Sequence, residues 1–268
     1  MALALSIVQN QKLLAQHAAE NYYNFWKSNP VYRGLPDSAQ KVLQDVHDGM
    51  SITETGRQSF ADGSFANGGA MRISSVGVVY RNADANVLRE AVTDAIMSSH
   101  CHPQSIDGAM AIALMVQYAL KCDGANRKFD AVEMAQMVLK HMETAEMKQN
   151  MKAVIDGYTT FVSGYNENEQ KQEERDSVDV ILDYDIEFLS SNKLLTFQIK
   201  AIEAVPFVLY SLMRWHQNAE QCAINVVTLG GDCDTTGSMV GAVLGCLYGT
   251  SWIPSRWYMN LENTWRER

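Results

Sequence analysis

Apolar residues recur at mixed three- and four-residue spacings along most of this chain, while alternating apolar–polar runs are scarce. That contrast most restricts the folds open to it. From Met1 to Trp26 the positions Leu3, Leu5, Val8, Leu13, Leu14, Ala18, Tyr22 and Trp26 trace one buried helix face. Pro30, Gly34 and Pro36 break the pattern, and Ser38 is a candidate N-cap for a helix running through Val42 and Val46. Asp84 to Met97 and Ser105 to Leu120 repeat the spacing, with Asp84 and Ser105 as candidate caps. In the second of these, Ile106, Met110, Ile112, Met115, Val116 and Leu120 form a core stripe, and helical spacing resumes from Leu194 to Met213. The expectation is an all-α chain, a compact single-domain helical bundle over residues 1–268 whose site is assembled from loops and helix ends.

A chain of 268 residues with 47% apolar content is long enough for one sizeable core. The fourteen methionines read as adaptable core filler. A formal net charge of −9 makes nucleic acid a poor partner, although oriented backbone amides can still hold a phosphorylated small ligand. Five scattered cysteines without a C-x-x-C pair argue against a disulfide framework or a thiolate zinc site and fit a reducing compartment, cytoplasmic or nuclear. The first residues read as helix and not as a signal peptide, and no apolar run reaches bilayer length, so a membrane is not an expected partner. Tyr165 to Asp179 is charge-dense and reads as a solvated connection. A monomer is expected.

The sharpest local feature is Gly230-Gly231-Asp232-Cys233-Asp234-Thr235-Thr236. Two carboxylates two apart, with a hydroxyl beside them and glycines allowing a tight turn, cluster hard oxygen ligands suited to magnesium. The bland alternative is a well-capped helix start, since Asp and Thr also suit a first turn. Gly237, Gly241, Gly245 and Gly249 follow at four-residue intervals. Glycine in a helix costs about 1 kcal/mol relative to alanine, so the stripe predicts close approach of another backbone.

A second constellation runs Phe60-Ala61-Asp62-Gly63-Ser64-Phe65-Ala66-Asn67-Gly68-Gly69-Ala70-Met71-Arg72. Its glycines would let amides point into a concavity, Ser64 and Asn67 add donors, and the phenylalanines could face a base or ribose, a nest suited to a diphosphate. Glycine-rich segments more often simply turn. The third is Ser99-His100-Cys101-His102-Pro103, where no further ligand lies at zinc spacing and a hydrogen-bonding histidine at a helix end is the better reading.

In this order the three segments resemble the ADP-ribosylglycohydrolase family, in particular its poly-ADP-ribose and serine-ADP-ribose hydrolase branch. Gly63 to Arg72 looks like the family's substrate loop, Ser99-His100 with His102-Pro103 its S-H-x-H-P motif, and Asp232-Cys233-Asp234-Thr235 its D-x-D-T metal motif. Glu203-Ala204-Val205-Pro206 and Ile253-Pro254, Trp257, Leu261 and Glu262 also match. The resemblance implies an all-α fold and a two-magnesium centre that places ribose and a water at the anomeric carbon. Asp232, Asp234 and Thr235 would then hold metal, the two aspartates serving catalysis. Gly63, Ser64, Phe65, Asn67, Gly68 and Gly69 would cradle diphosphate and ribose, and His100 would bond near the distal ribose.

The implied function is magnesium-dependent hydrolysis of the bond between ADP-ribose and its acceptor, on a protein side chain, a polymer or a metabolite. Family members carry an upstream T-D-D-T metal stretch followed by residues like Met1 to Leu5, so the chain is expected to be N-terminally incomplete, with half of the ligands missing. The alternative is an inactive relative that binds ADP-ribose or serves structurally, as crystallins do. Ala66 and Cys233 are milder departures, where relatives tend to have glycine and threonine. A haloacid-dehalogenase-type phosphatase loop at Asp232 is disfavoured, because no lysine or further aspartate follows it.

Overall fold

The computed structural model describes residues 2–28, 35–122, 127–167 and 180–259. Among these the chain is helical throughout, and β-structure is limited to one isolated antiparallel bridge, Ala66 with Lys200. The helices are α1 (Ala2–Asn10), α2 (Ala15–Lys27), α3 (Asp37–His47), α4 (Ile52–Thr55), a 3₁₀ helix (Asn67–Arg72), α5 (Ser74–Val79), α6 (Ala85–Ile96), α7 (Pro103–Leu120) and α8 (Ala131–Lys140). There follow α9 (Ala145–Glu167), α10 (Asp183–Ser191), α11 (Ala201–Trp215), α12 (Ala219–Thr228), α13 (Cys233–Tyr248) and α14 (Ser255–Tyr258). The all-α expectation holds.

Two helices carry the centre. In α7 only Pro103, Gln104, Ile106 and Leu120 escape full burial, and in α11 only Ile202 and Glu203 do, as befits helices that are apolar nearly all round. They cross closely at Gly108, where a Cβ would lie 2.8 Å from the Ala201 methyl. At Gly77 of α5 it would lie 2.8 Å from the Ala113 carbonyl oxygen of α7. Met110, Met115, Met134, Met147 and Met151 sit in this core, as the methionine reading expected. Pro206 within α11 cannot donate to the Ile202 carbonyl, and the Asn150 side chain of α9 does so instead at 2.7 Å.

The structure corrects several local expectations. Met1 to Trp26 is not one helix: Gln11 takes φ 56° and the chain restarts at Ala15. The third helix begins at Asp37 after Pro36, so Ser38 is not its cap. Ser105 does not cap α7, because His102 does, accepting from the Gln104 amide with Pro103 opening the helix. Asp84 does cap α6, accepting from the Asn86 and Val87 amides. Leu194 to Lys200 is loop, with Lys193 and Gln198 at positive φ, and helix begins only at Ala201.

The glycine stripe of α13 is also reversed. Nothing lies within 4 Å of a Cβ placed at Gly241, Gly245 or Gly249, and Gly237 meets only Val227 at 3.9 Å. The stripe therefore faces open space among the described residues, and close packing falls on Gly77 and Gly108. Pro30, Gly34, most of Tyr165 to Asp179, Leu261 and Glu262 lie outside the described residues.

Candidate active site

Three distant segments meet at Asn67. The Phe60–Ala66 loop leads into the 3₁₀ helix, the 194–200 loop lies against it, and the Gly230-Gly231 turn feeds α13. The first two are tied by backbone bonds from Asn67 N to the Ile199 carbonyl (2.8 Å) and from Ala201 N to the Phe65 carbonyl (3.1 Å). The Asn67 side-chain nitrogen then uses both hydrogens, donating to the Gln198 carbonyl at 2.7 Å and to Asp232 Oδ2 at 2.6 Å.

Asp232 stands at the N-cap position of α13, yet its carboxylate caps no amide of that helix. The Thr236 amide and hydroxyl take the Asp232 backbone oxygen instead, at 2.9 and 3.0 Å. Capping alone therefore does not account for this aspartate. Burial raises the Asp232 pKa, the neighbouring Asp234 adds to the rise, and the Asn67 and Thr235 hydrogen bonds oppose it. Asp234 is exposed and accepts from the Thr235 amide at 3.0 Å. The Thr235 side chain is buried and its hydroxyl points to Met71 Sδ at 3.5 Å. Cys233 turns away, its thiol directed at the Val227 and Gly231 carbonyls, so this departure leaves the acid pair untouched.

These donors suit a hard cation held by two carboxylates with water and substrate completing its shell, which is how magnesium is usually bound. Among the described residues no group of three or more His, Cys, Asp or Glu side chains is placed to hold a metal.

In the loop, the glycines serve the chain's own packing. At Gly63, φ is +89° and a Cβ would lie 2.5 Å from Cys101 Sγ and 2.7 Å from the His102 amide. At Gly68 it would lie 2.7 Å from His100 Nε2, and at Gly69 2.9 Å from Ile96 Cδ1. Gly63, Asn67, Gly68 and Gly69 are buried, whereas Ser64 and Phe65 form the half-exposed tip. The Ser64 hydroxyl accepts from the Ala66 amide at 3.3 Å, and Phe65 lies edge-on to His102 with ring centres 6.0 Å apart. Ala66, at the other departure, pairs with Lys200 and its carbonyl accepts from Ser105 at 2.8 Å.

His100 is clamped rather than free. Its Nδ1 lies 2.8 Å from the Ser99 hydroxyl, which also accepts from Arg72 at 2.6 Å, while Arg72 reaches the Gly68 carbonyl at 2.9 Å and covers the Tyr22 ring. Close packing around the ring, aided by the Arg72 charge, lowers the His100 pKa to about 3, so it is neutral near pH 7. The structure thus joins Asn67, Asp232, Asp234 and Thr235 directly, and seats His100 behind Gly68. Sequence reasoning missed Gln198, Arg72 and Met71. Arg72 and Met71 stood inside the glycine loop, and nothing in the sequence marked Gln198.

The ADP-ribosylglycohydrolase family model matches residues 1–268. The chain is 27% identical over 225 residues to ADP-ribosylhydrolase ARH3 of Mus musculus, covering 79% of this chain and 57% of that protein. With the Homo sapiens protein of the same name it shares 26% identity over 283 residues, covering 97% of this chain and 73% of the relative. A solved structure titled ADP-ribosylglycohydrolase-related protein complex superimposes with a TM-score of 0.67 at 16% identity, over 99% of this chain and 74% of that one, a likeness of fold. With the match running from end to end, this chain belongs to the ADP-ribosylglycohydrolase family.

Proposed function

We propose that the chain hydrolyses the glycosidic bond between ADP-ribose and an acceptor, a protein side chain or a polymer, with magnesium held at Asp232, Asp234 and Thr235. The observation that carries this reading is the Asn67 bridge, which brings the glycine loop against the acid pair. Bound there, magnesium would polarise the ribose hydroxyls and a water near the anomeric carbon. Asn67 occupies Oδ2 of Asp232 and fixes the carboxylate's orientation. Ser64 and Phe65, at the accessible tip, would meet diphosphate and ribose. Gly63, Gly68 and Gly69 let the loop sit low enough to do so. Neutral His100 serves as a hydrogen-bonding group and not as a proton donor. Action in a reducing compartment agrees with five cysteines scattered along the chain without a C-x-x-C pair.

The test is release of free ADP-ribose from ADP-ribosylated protein or polymer in the presence of magnesium, lost in Asp232→Ala and in Asp234→Ala. No release from any such substrate by the purified wild type defeats the proposal. A second reading is an ADP-ribose binder without activity, in which the loop and the acid pair hold the ligand without turning it over. Calorimetry with ADP-ribose separates the two, since the binder gives heat of binding and no turnover.

A further inference from the structure

We infer that Gln198 is a positioning residue for the acid pair, holding Asp232 through Asn67 and through the Gly231 turn. The inference rests on the proposed use of that pair. Gln198 lies between Phe197, 67% exposed, and Ile199, 48% exposed, yet is itself only 1% exposed. The chain turns this one residue inward at φ +59°, a left-handed conformation that suits glycine and strains most other residues. Its carbonyl, aimed by that conformation, receives the same Asn67 nitrogen that donates to Asp232. Rotating the 198–199 peptide removes the acceptor that sets the Asn67 amide plane, and with it the second bond to the carboxylate.

The side chain reinforces this from within. Gln198 Nε2 donates to the Leu194 carbonyl at 2.7 Å, closing the loop on itself, and the Gln198 backbone N–H donates to the Thr196 hydroxyl at 3.1 Å. Oε1 is buried without a hydrogen-bond partner. It faces Gly231, where a Cβ would lie 2.5 Å from Oε1 and 2.7 Å from the Thr196 carbonyl. Gly231 itself has φ +79° and leads directly into Asp232. An unsatisfied buried carbonyl and a strained backbone in one residue are both unfavourable. They coincide at the one place where the loop touches both supports of Asp232.

The experiment is Gln198→Gly, which relaxes φ and keeps the carbonyl while removing the side chain, compared with Asn67→Ala and the double variant. Amide exchange over 228–236, melting temperature and steady-state kinetics are read together. For Gln198→Gly we expect a melting temperature close to that of wild type, relief of φ offsetting the lost Leu194 bond, about tenfold faster exchange confined to 228–236, and kcat lowered about tenfold with KM little changed. In the Asn67→Ala background the part of the loss that runs through Asn67 disappears and the part that runs through the Gly231 turn remains, so the further loss of kcat should be smaller but not absent. Unchanged exchange at 228–236 overturns the inference, as does faster exchange spread evenly with a lower melting temperature. If wild type releases no ADP-ribose, the proposed function fails while the exchange result still decides the role of Gln198.

Discussion

Asn67 and Asp232 stand 165 positions apart in sequence, and a 2.6 Å bond from amide to carboxylate joins them. A bond to a charged group contributes about 1.5–3 kcal/mol, and partial exposure of Asp232 places this one toward the lower end. Asn67→Ala should therefore lower kcat/KM for ADP-ribose release by about 10–30-fold. Asn67→Asp should be worse, because it sets a third carboxylate against the pair. Activity retained in both variants would show that Asp232 does not depend on this bond.

The glycines divide into two groups that mutation should separate. Gly68→Ala drives a methyl into the His100 ring, and Gly63→Ala adds backbone strain to a clash with the His102 amide. Overpacking of this kind costs about 1–3 kcal/mol, with Gly63→Ala the more severe. Gly241→Ala and Gly245→Ala meet no atom and should stabilise by about 0.5–1 kcal/mol through helix propensity. Chemical denaturation of the four variants reads the order, and a destabilised Gly241→Ala would mean that this face is covered.

Much of the helical framework was legible because burial imposes a period of 3.6 on sequence, which α6 follows closely, whereas α7 is buried nearly all round and its expected stripe marked only part of the buried surface. The site was legible where its chemistry is local, as in Asp232-Cys233-Asp234-Thr235. What escaped was set by tertiary contact. Leu194, Leu195 and Phe197 continue a helical spacing, so the loop there looked like the start of α11, and no residue type announces positive φ at Gln198 or Gln11. The His102 cap was hidden because Ser105 is the more usual capping residue, and its hydroxyl was taken instead by the Ala66 carbonyl. On α13 the spacing of the glycines indicated a small-residue face but not what, if anything, lies opposite it.

Magnesium should stabilise the fold if the acid pair binds it. A ligand that binds only the folded state stabilises by RT ln(1 + [L]/Kd), about 2.7 kcal/mol at a hundredfold excess over Kd. Wild type should melt at a higher temperature with magnesium than with chelator. Asp234→Asn should lose most of that difference while keeping its metal-free melting temperature, since its carboxylate is exposed. A magnesium shift as large as wild type's in both Asp232→Asn and Asp234→Asn would place the ion elsewhere.

His100 predicts a pH dependence of stability with a definite sign. Its pKa is lowered from 6.5 to about 3, chiefly by burial. Below the unfolded value the unfolded chain binds a proton that the folded chain refuses, so stability rises with pH across this window. The contribution is fully present above pH 6.5 and is lost as pH falls toward 3, at no more than about 1.4 kcal/mol per pH unit. Carboxylates titrate at the acid end as well, and Asp232, whose pKa burial raises, adds a slope of the opposite sign, so the comparison must be between wild type and His100→Gln. Urea unfolding at pH 4, 5, 6 and 7 should show a shallower slope in His100→Gln between pH 6 and 4, with the gap between the two proteins narrowing or reversing as pH falls. Parallel slopes would mean that His100 takes up a proton in the folded state, which the Arg72 guanidinium held at the Ser99 hydroxyl beside it opposes.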